Sequence, residues 1–191
     1  KRRQTALVSA QSERQANLKN LQAQLNSTKS SINYLKENQQ TLITTIEELE
    51  KEKNKKVELL GLNNSKGKLN WPSRGKLEHT FGQRKHGGID WKGVLIGAKE
   101  GSNINSVHNG QVVFADWLKG YGWVIVVDHG EGFMSLYGHA QTLLKDVGDM
   151  VREGETVALV GQSGGQASSG LYFEMRHKGR AVNPEKWCKR I

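Results

Sequence analysis

The distribution of glycine is the strongest constraint on the fold of this 191-residue chain. All 22 glycines lie at or after Gly61, and residues 1–60 contain neither glycine nor proline. Both residue types interrupt helices, whereas glycine suits the tight turns between short strands. We therefore predict one uninterrupted helix in the first third of the chain and a turn-rich β domain in the remainder.

The first segment, residues 1–57, carries an apolar repeat with the alternating three- and four-residue spacing of a coiled coil. Its polar exceptions are Thr28 and Gln39. The stripe needs a partner surface, which a second chain, an N-terminal helix outside this sequence or a groove on the second domain could supply. The seam positions are Leu18, Leu21, Leu25, Thr28, Ile32, Leu35, Gln39, Leu42, Ile46 and Leu49.

The remainder of the chain predicts a linker followed by a β domain. Residues 58–70 are the linker, because residues 61–68 are rich in glycine, asparagine and serine and should be flexible. Residues 71–191 hold short β-type runs separated by glycine, which favours an antiparallel sheet with little helix. The predicted strands are residues 104–107, 111–117, 123–128, 134–139, 156–161 and 171–177. The expected core contains Val112, Phe114, Val124, Val126, Leu136, Val157, Leu159 and Phe173.

Composition excludes several classes of function. The net charge is +9, but the cations are interspersed with glutamate and no aromatic RNA-binding motif is present, so nucleic acid is not the expected partner. No apolar run is long enough to span a membrane. One cysteine, Cys188, cannot form an internal disulfide framework. The chain begins Lys1-Arg2-Arg3 with no apolar region behind it, so we expect an internal fragment without its signal peptide.

Three motifs in the β domain carry possible chemistry. Residues 81–93 read FGQRKHGGIDWKG, residues 137–139 read YGH, and residues 161–176 read GQSGGQASSGLYFEMR. The last motif is a glycine- and serine-rich loop that leads into a strand. Since side chains alternate faces along a strand, Tyr172 and Arg176 should share one face with Glu174.

The three motifs resemble those of the LytM/lysostaphin-type zinc metallopeptidases. The resemblance implies that His86 and Asp90 occupy two zinc-ligand positions and that His139 stands where a histidine stabilises the oxyanion. It also implies that Tyr172 replaces the third ligand and Gly170 a catalytic histidine. Tyrosine with its ordinary pKa near 10 is a poor substitute for imidazole, and glycine transfers no proton. We therefore expect a degenerate LytM-like domain with no catalytic residue and no cofactor.

Further strings, ADWLKGYGWVIVV and AVNPEKW among them, resemble EnvC-type murein hydrolase activators. That resemblance implies a non-catalytic periplasmic protein that activates N-acetylmuramoyl-L-alanine amidases during daughter-cell separation, close to peptidoglycan. It implies that the coiled coil docks on the FtsEX division complex and that the former active-site cleft binds the amidase. An active zinc-dependent murein endopeptidase and a wall-binding structural module remain the alternatives. The implied partner-binding residues are Lys92, Leu95, Tyr121, Val124, Tyr172 and Arg176.

The same resemblance suggests a regulatory role for the helix. An apolar helical arm that lies across the cleft would compete with the partner for the same surface. We expect residues 40–57 to restrain the cleft in this way, and force or a partner on the coiled coil to release it.

Overall fold

The computed structural model describes residues 2–51, 59–85 and 88–190, with only the backbone described at helix residues 2–13, 15, 16, 50 and 51. The chain forms two compact units, Lys1–Glu37 and Asn38–Ile191. Helix α1, Arg2–Lys51, supplies the first unit and begins the second. No helix in the described part of the chain is both long and apolar enough to cross a membrane.

The first unit is a single stretch of α1 with an exposed apolar stripe. Leu18, Leu21 and Leu25 are 59–61% exposed, although they are three consecutive positions of the predicted seam. The helix forms as predicted, because no glycine or proline interrupts residues 2–51. Pairing of this seam in a coiled coil stays a prediction, and the predicted helical residues 52–57 lie outside the described residues.

The described residues of the second unit form ten strands in an antiparallel arrangement. Their order across the sheet is β1-β2-β9-β6-β5-β4-β7, with β10 beside β9 and with β8 pairing with both β6 and β3. Two short 3-10 turns, Asn63–Ser65 and Pro184–Lys186, are the other helical elements of the described residues. The strands are β1 Lys76–His79, β2 Val94–Gly97, β3 Asn103–Asn105, β4 Gly110–Leu118, β5 Gly122–Gly130, β6 Phe133–Leu143, β7 Met150–Val151, β8 Thr156–Val160, β9 Gly170–His177 and β10 Arg180–Val182.

The predicted fold class, a long helix followed by an antiparallel β domain, is confirmed. All six predicted strands are present, although their ends differ: residues 104–107 were predicted where β3 covers Asn103–Asn105. Four short strands, β1, β2, β7 and β10, were not predicted.

Alternation along the central strands divides the apolar side chains between two clusters. In β5, Ile125 and Val127 join the larger cluster, whereas Val124 and Val126 join the smaller one. We call the larger cluster the main core; it lies between β2, β5, β6 and β9 on one side and β3 and β8 on the other. We call the smaller one the cleft cluster. Its buried members are Leu42, Ile46, Leu118, Tyr121, Val124, Val126, Met134, Leu136 and Tyr172.

Most of the expected core residues are buried in one of these clusters. Phe114 and Leu159 differ, because they are only half-buried. A register irregularity between Val112 and Phe114 accounts for the first, since it interrupts the alternation of β4 and sends Phe114 to the margin of the cleft cluster.

The described part of the predicted linker is packed rather than flexible. Leu62 is fully buried in the main core, and the Gly61 N–H donates to the His129 carbonyl at 2.9 Å. Leu69 is 2% exposed and bridges to Cys188. One leucine on each side of the polar turn anchors it in the β domain. Its high content of glycine, asparagine and serine therefore does not make it mobile. The domain boundaries at residues 1–57, 58–70 and 71–191 stay a prediction.

Candidate functional site

Strand β9 carries a buried polar network on the face that it turns toward the cleft cluster. The Tyr172 hydroxyl donates to one oxygen of the Glu174 carboxylate at 2.5 Å, and the Arg176 guanidinium donates to the other at 2.8 Å. Arg176 also donates to the Gly179 carbonyl at 2.8 Å. The three side chains share one face because alternate residues of a strand do, as predicted from the sequence.

Burial and charge shift the pKa values of this network. Burial raises the pKa of the fully buried Glu174, while the Arg176 charge and the Tyr172 hydroxyl oppose that rise. Burial and the neighbouring Glu174 charge raise the pKa of Tyr172 well above its ordinary value, so the phenol stays protonated at neutral pH. Tyr172 is therefore a hydrogen-bond donor whose hydroxyl is already engaged.

Aromatic rings line the cleft on both sides of Tyr172. The Tyr172 ring centroid lies 5.0 Å from that of Tyr121 and 6.1 Å from that of Trp91. Trp91 in turn stacks on His79 at 4.5 Å, and Tyr121 stacks on His139 at 6.3 Å. The rings form one continuous row, a rigid amphipathic surface of the kind enriched at protein interfaces.

His139 lies at one end of this row in an unusual conformation. Its φ angle is +62°, a left-handed value that side chains other than glycine seldom adopt. Its Nδ1–H donates to the Ser163 carbonyl at 2.8 Å, and burial lowers its pKa. The ring is therefore neutral and fixed, with the rim loop that carries Ser163 held against it.

Basic residues surround the other end of the row. The Lys85 amino group lies 3.8 Å from the Trp91 ring centroid in a cation–π contact. Burial lowers the pKa of Lys85, and the Glu174 charge opposes this. Lys92 and Arg180 are exposed residues in the lining of the adjoining cavity. The site is thus an aromatic cleft with a cationic margin, which favours a partner that brings apolar and acidic groups.

The C-terminal part of α1 covers the cleft, and we call its residues 38–49 the covering segment. Leu42 is 2% exposed and Ile46 is fully buried, and both pack in the cleft cluster with Tyr172. A cavity of about 320 Å³ remains between this segment and the sheet. It is lined by Gln39, Leu42, Ile43, Phe81, Lys92, Tyr121, Glu174, Arg176, Gly179, Arg180 and Ala181.

At the start of the covering segment, Asn38 packs closely against the sheet and leaves one of its polar atoms without a hydrogen bond. Asn38 lies over the turn between β4 and β5, where a Cβ on Gly120 would lie 2.1 Å from the Asn38 Nδ2. Gly120 also has a φ of +80°, so only glycine fits here without strain. Asn38 is 4% exposed, and its Oδ1 has no hydrogen-bond partner within the described part of the chain.

The structure brings most of the predicted partner-binding residues together. Tyr121, Val124 and Tyr172 pack in the cleft cluster, and Arg176 and Lys92 line the adjoining cavity. The sixth residue, Leu95, pairs with Tyr172 across β2 and β9 and is 3% exposed. Their role in binding a partner stays a prediction.

The remnant ligand positions are less well defined. His86 lies outside the described residues, and Asp90 is exposed and bridges to Arg84. A Cβ on Gly170 would lie 3.0 Å from the Ile96 carbonyl oxygen, so the backbone of β2 crowds any side chain there.

Sequence reasoning missed Trp91 and Glu174 as parts of this site. Glu174 was placed on the correct face by strand alternation, but nothing in the sequence indicated its two hydrogen bonds. Leu42 and Ile46 are seam positions within residues 40–57, which were expected to restrain the cleft, but their burial beside Tyr172 was not predicted. Trp91 directly follows Asp90, and a large aromatic beside a suspected ligand was the available signal.

A catalytic zinc ion takes three protein ligands and keeps one open position. Across the described residues, no group of three or more His, Cys, Asp or Glu side chains could hold a metal ion. The cleft offers the His139 imidazole, whose Nδ1 is engaged, and the protonated Tyr172. These described donors do not fit a catalytic zinc site.

The fold and the motifs define a class, the LytM-type peptidase domain. Residues 89–184, about half of the chain, match Peptidase family M23, and the chain belongs to this family. The zinc-containing peptidase of Vibrio cholerae has the same fold, with a TM-score of 0.59, 24% identity and coverage of 62% of this chain and 39% of that one. A mutant catalytic domain of the M23 protein EnpA from Enterococcus faecalis matches with a TM-score of 0.55, 25% identity and coverage of 61% and 96%.

Particular relatives are more similar in sequence than these structures. The murein hydrolase activator EnvC of Escherichia coli (strain K12) is 48% identical over 147 residues, which are 77% of this chain and 35% of that protein. The murein hydrolase activator NlpD of the same strain is 37% identical over 118 residues, 61% of this chain and 30% of that protein. The chain therefore spans about a third of the length of these relatives.

Proposed function

We propose that this protein is a non-catalytic, periplasmic activator of murein amidases that takes part in daughter-cell separation. Two of its relatives are named murein hydrolase activators, and the amidase class of the target comes from the sequence resemblance. The observation that carries the proposal is Tyr172. It stands at a ligand position of the peptidase motif, yet its hydroxyl is held by Glu174 as part of a buried network. The proposal requires no cofactor.

The same network suits a protein-binding surface. Arg176 fixes Glu174, and Glu174 fixes Tyr172, so two side chains of the types most enriched in binding hot spots are held in place before a partner arrives. The partner surface comprises Lys92, Leu95, Tyr121, Val124, Tyr172 and Arg176. Its aromatic row provides apolar contact area, and its basic margin attracts acidic groups.

The covering segment of α1 supports a restraint on this surface. Val124 is fully buried and Tyr172 is 2% exposed, in one cluster with Leu42 and Ile46. A partner reaches these side chains only after the segment moves away. A docked state favoured by a few kcal/mol is enough to keep the cleft closed and is still reversible by a ligand that binds only the open state. We propose that binding of the N-terminal part of the helix by FtsEX provides this release.

A murein digestion assay tests the function directly. The protein alone should release no fragments from purified murein, and it should raise the rate at which a cognate amidase releases them. Tyr172→Ala and Arg176→Ala should each remove the stimulation, since a hot-spot truncation costs about 2 kcal/mol or more of binding. Arg152→Ala, a change at an exposed arginine outside the cleft lining, is the matched control and should stimulate normally.

Two outcomes contradict the proposal. Stimulation that survives both Tyr172→Ala and Arg176→Ala places the amidase elsewhere on the protein. Cutting of murein crosslinks by the zinc-loaded protein alone, lost in Asp90→Ala, identifies it instead as an active endopeptidase.

A further inference from the structure

A second cavity lies beside the edge strand β1, apart from the cleft. Its volume is about 360 Å³, within the range of small-molecule sites. Ile96 and Leu77 form its apolar floor and pack against the main core, so the cavity is on the side of the sheet opposite to the cleft cluster. Its lining is Trp71, Ser73, Arg74, Gly75, Leu77 and Ile96, none of which lines the cleft cavity.

Trp71 gives this cavity a fixed aromatic wall. The indole Nε1–H donates to the Lys189 carbonyl at 2.9 Å, and the ring meets Phe173 edge-on with centroids 6.4 Å apart. Trp71 is only half-buried, so part of its ring remains accessible. A ring held in this way offers contact area to a ligand at little cost in side-chain entropy.

Two polar groups of the lining have no partner within the described residues. Ser73 is 8% exposed, and its Oγ is buried without a hydrogen bond. Arg74 is exposed and forms no ion pair with any described residue. The Ser73 hydroxyl is closed off from the cavity, so of these two groups only the Arg74 guanidinium can meet a ligand. The cavity therefore combines an aromatic wall, an apolar floor and a cation.

We propose that this cavity binds an N-acetylated sugar that carries a carboxylate, the chemistry of the muramic acid unit of murein glycan. The sugar ring packs on Trp71, and the acetyl methyl group contacts the apolar floor. Arg74 pairs with the carboxylate. The choice of murein as the source rests on the proposed function, whereas the chemistry of the ligand rests on the lining.

A peptide is the less suitable occupant of this site. A peptide at a sheet edge gains most of its affinity by adding a strand through main-chain hydrogen bonds. Strand β1 has only four residues, and its register is irregular between Leu77 and His79. Such an edge is a poor template for strand addition.

The test is a titration of the full chain, followed by NMR and without any amidase. The probes are the disaccharide of N-acetylglucosamine and N-acetylmuramic acid, the uncharged dimer of N-acetylglucosamine, and the murein stem peptide alone. We expect saturable binding of the acidic disaccharide with shifts at the Trp71 indole, and binding of the uncharged dimer that is weaker by about fivefold.

Variants assign that binding to the cavity. Arg74→Ala should weaken binding of the acidic disaccharide about fivefold and leave binding of the uncharged dimer unchanged. Lys76→Ala removes an exposed cation of β1 that does not line the cavity, and it should have no effect. Ser73→Ala should leave binding of both sugars unchanged, because its hydroxyl is closed off from the cavity.

The proposal is overturned if no sugar binds at millimolar concentration, if the stem peptide binds and the sugars do not, or if Arg74→Ala and Lys76→Ala weaken binding equally. None of these results bears on amidase stimulation, which is measured separately with the same variants. Failure of this site and failure of the proposed function are therefore distinguishable.

Discussion

The main core and the cleft cluster differ in what closes them. The main core is enclosed by strands on both sides, together with Leu62 and Leu69 of the adjoining segment. The cleft cluster is closed instead by a helical segment that carries Leu42 and Ile46. Withdrawing a strand destroys the sheet, whereas withdrawing a helix end leaves every strand pair in place. We therefore expect the first cluster to maintain the fold and the second to open when its helical cover is displaced.

Buried polar groups show the same contrast. In the main core, His129 Nδ1–H donates to the Asn109 carbonyl at 2.8 Å, and Nε2 is 2.8 Å from the Ser135 hydroxyl. At the margin of the cleft cluster, by contrast, the Asn38 Oδ1 is buried without a hydrogen-bond partner among the described residues. The Ser73 Oγ beside the main core is also buried without a partner, but only the Asn38 amide would return to water if the helical segment withdrew.

The largest expected effect comes from removing a ring of the main core. Phe173 is fully buried, so Phe173→Ala should lower the free energy of unfolding by about 3–5 kcal/mol through lost transfer energy and a new cavity. Denaturant unfolding followed by tryptophan fluorescence measures the loss. Phe173→Leu, which retains most of the volume, should cost less than half as much, and equal losses would argue against a tightly packed core.

The buried histidine of the main core should make stability depend on pH. Burial lowers the pKa of His129 from 6.5 to about 4. Between these values the unfolded chain binds a proton that the folded chain does not, so stability falls as the pH falls. The expected loss from pH 6.5 to pH 4 is about 3 kcal/mol, with no further contribution at lower pH.

The control for this pH dependence is His129→Gln, which removes the titrating group and retains hydrogen-bonding capacity. The variant should be less stable at neutral pH, but its stability should fall less steeply between pH 6.5 and 4. If the two slopes are the same, His129 does not carry the effect. His139 contributes in the same direction, because burial lowers its pKa as well.

Much of the fold could be predicted because it depends on local patterns. The absence of glycine and proline before Gly61 defined the helix, and the glycine-separated β runs defined six of the ten strands of the described residues. The four missed strands have two to four residues each, and β3, with three, was predicted only with displaced ends, because such short runs display little alternation. Strands of that length are specified by their neighbours in the sheet, which the sequence does not display.

The chemistry of the site was predictable from its residues, whereas its cover was expected only from the family resemblance. Strand alternation and the motif placed Tyr172, Glu174 and Arg176 on one face, as observed. The seam of α1 by itself left three possible partners for Leu42 and Ile46, and only the resemblance favoured the cleft as the surface that residues 40–57 cover. Which surface an apolar stripe covers depends on tertiary shape. The role of residues 61–68 was misjudged for the same reason, because burial of Leu62 is a non-local contact.

Opening the cleft cluster should lower the free energy of unfolding by less than damage to the main core does. In Leu42→Ser combined with Ile46→Ser, the loss in unfolding free energy is limited to the docking energy of the segment, about 2 kcal/mol. Hydrogen exchange should accelerate at residues 38–49 and not in β5 or β6. Amidase stimulation should rise, because the partner no longer competes with the helix.

The matched control is Leu21→Ser combined with Leu25→Ser, at seam positions that are exposed. It should leave exchange at residues 38–49 unchanged. Removing residues 1–68 is a poorer test of the same idea, because it also deletes Leu62 from the main core. Unchanged stimulation in the Leu42 and Ile46 double variant would make the helix a tether rather than a restraint.

The smallest expected effect concerns Asn38, where a substitution should strengthen the docking of the covering segment instead of weakening it. Asn38→Leu replaces a buried amide by an apolar side chain of similar shape and removes the unpaired oxygen, so it should stabilise the docked segment by about 1 kcal/mol. Leucine also has a higher helix propensity than asparagine, and Gln40→Leu, at an exposed position of the same helical turn, measures that contribution alone. Relative to Gln40→Leu, Asn38→Leu should slow exchange at residues 38–49 and weaken amidase stimulation about fivefold, since 1 kcal/mol corresponds to roughly that factor. If Asn38→Leu instead loosens the segment, the Asn38 amide stabilises the docked helix and the cleft cluster contains no built-in bias toward opening.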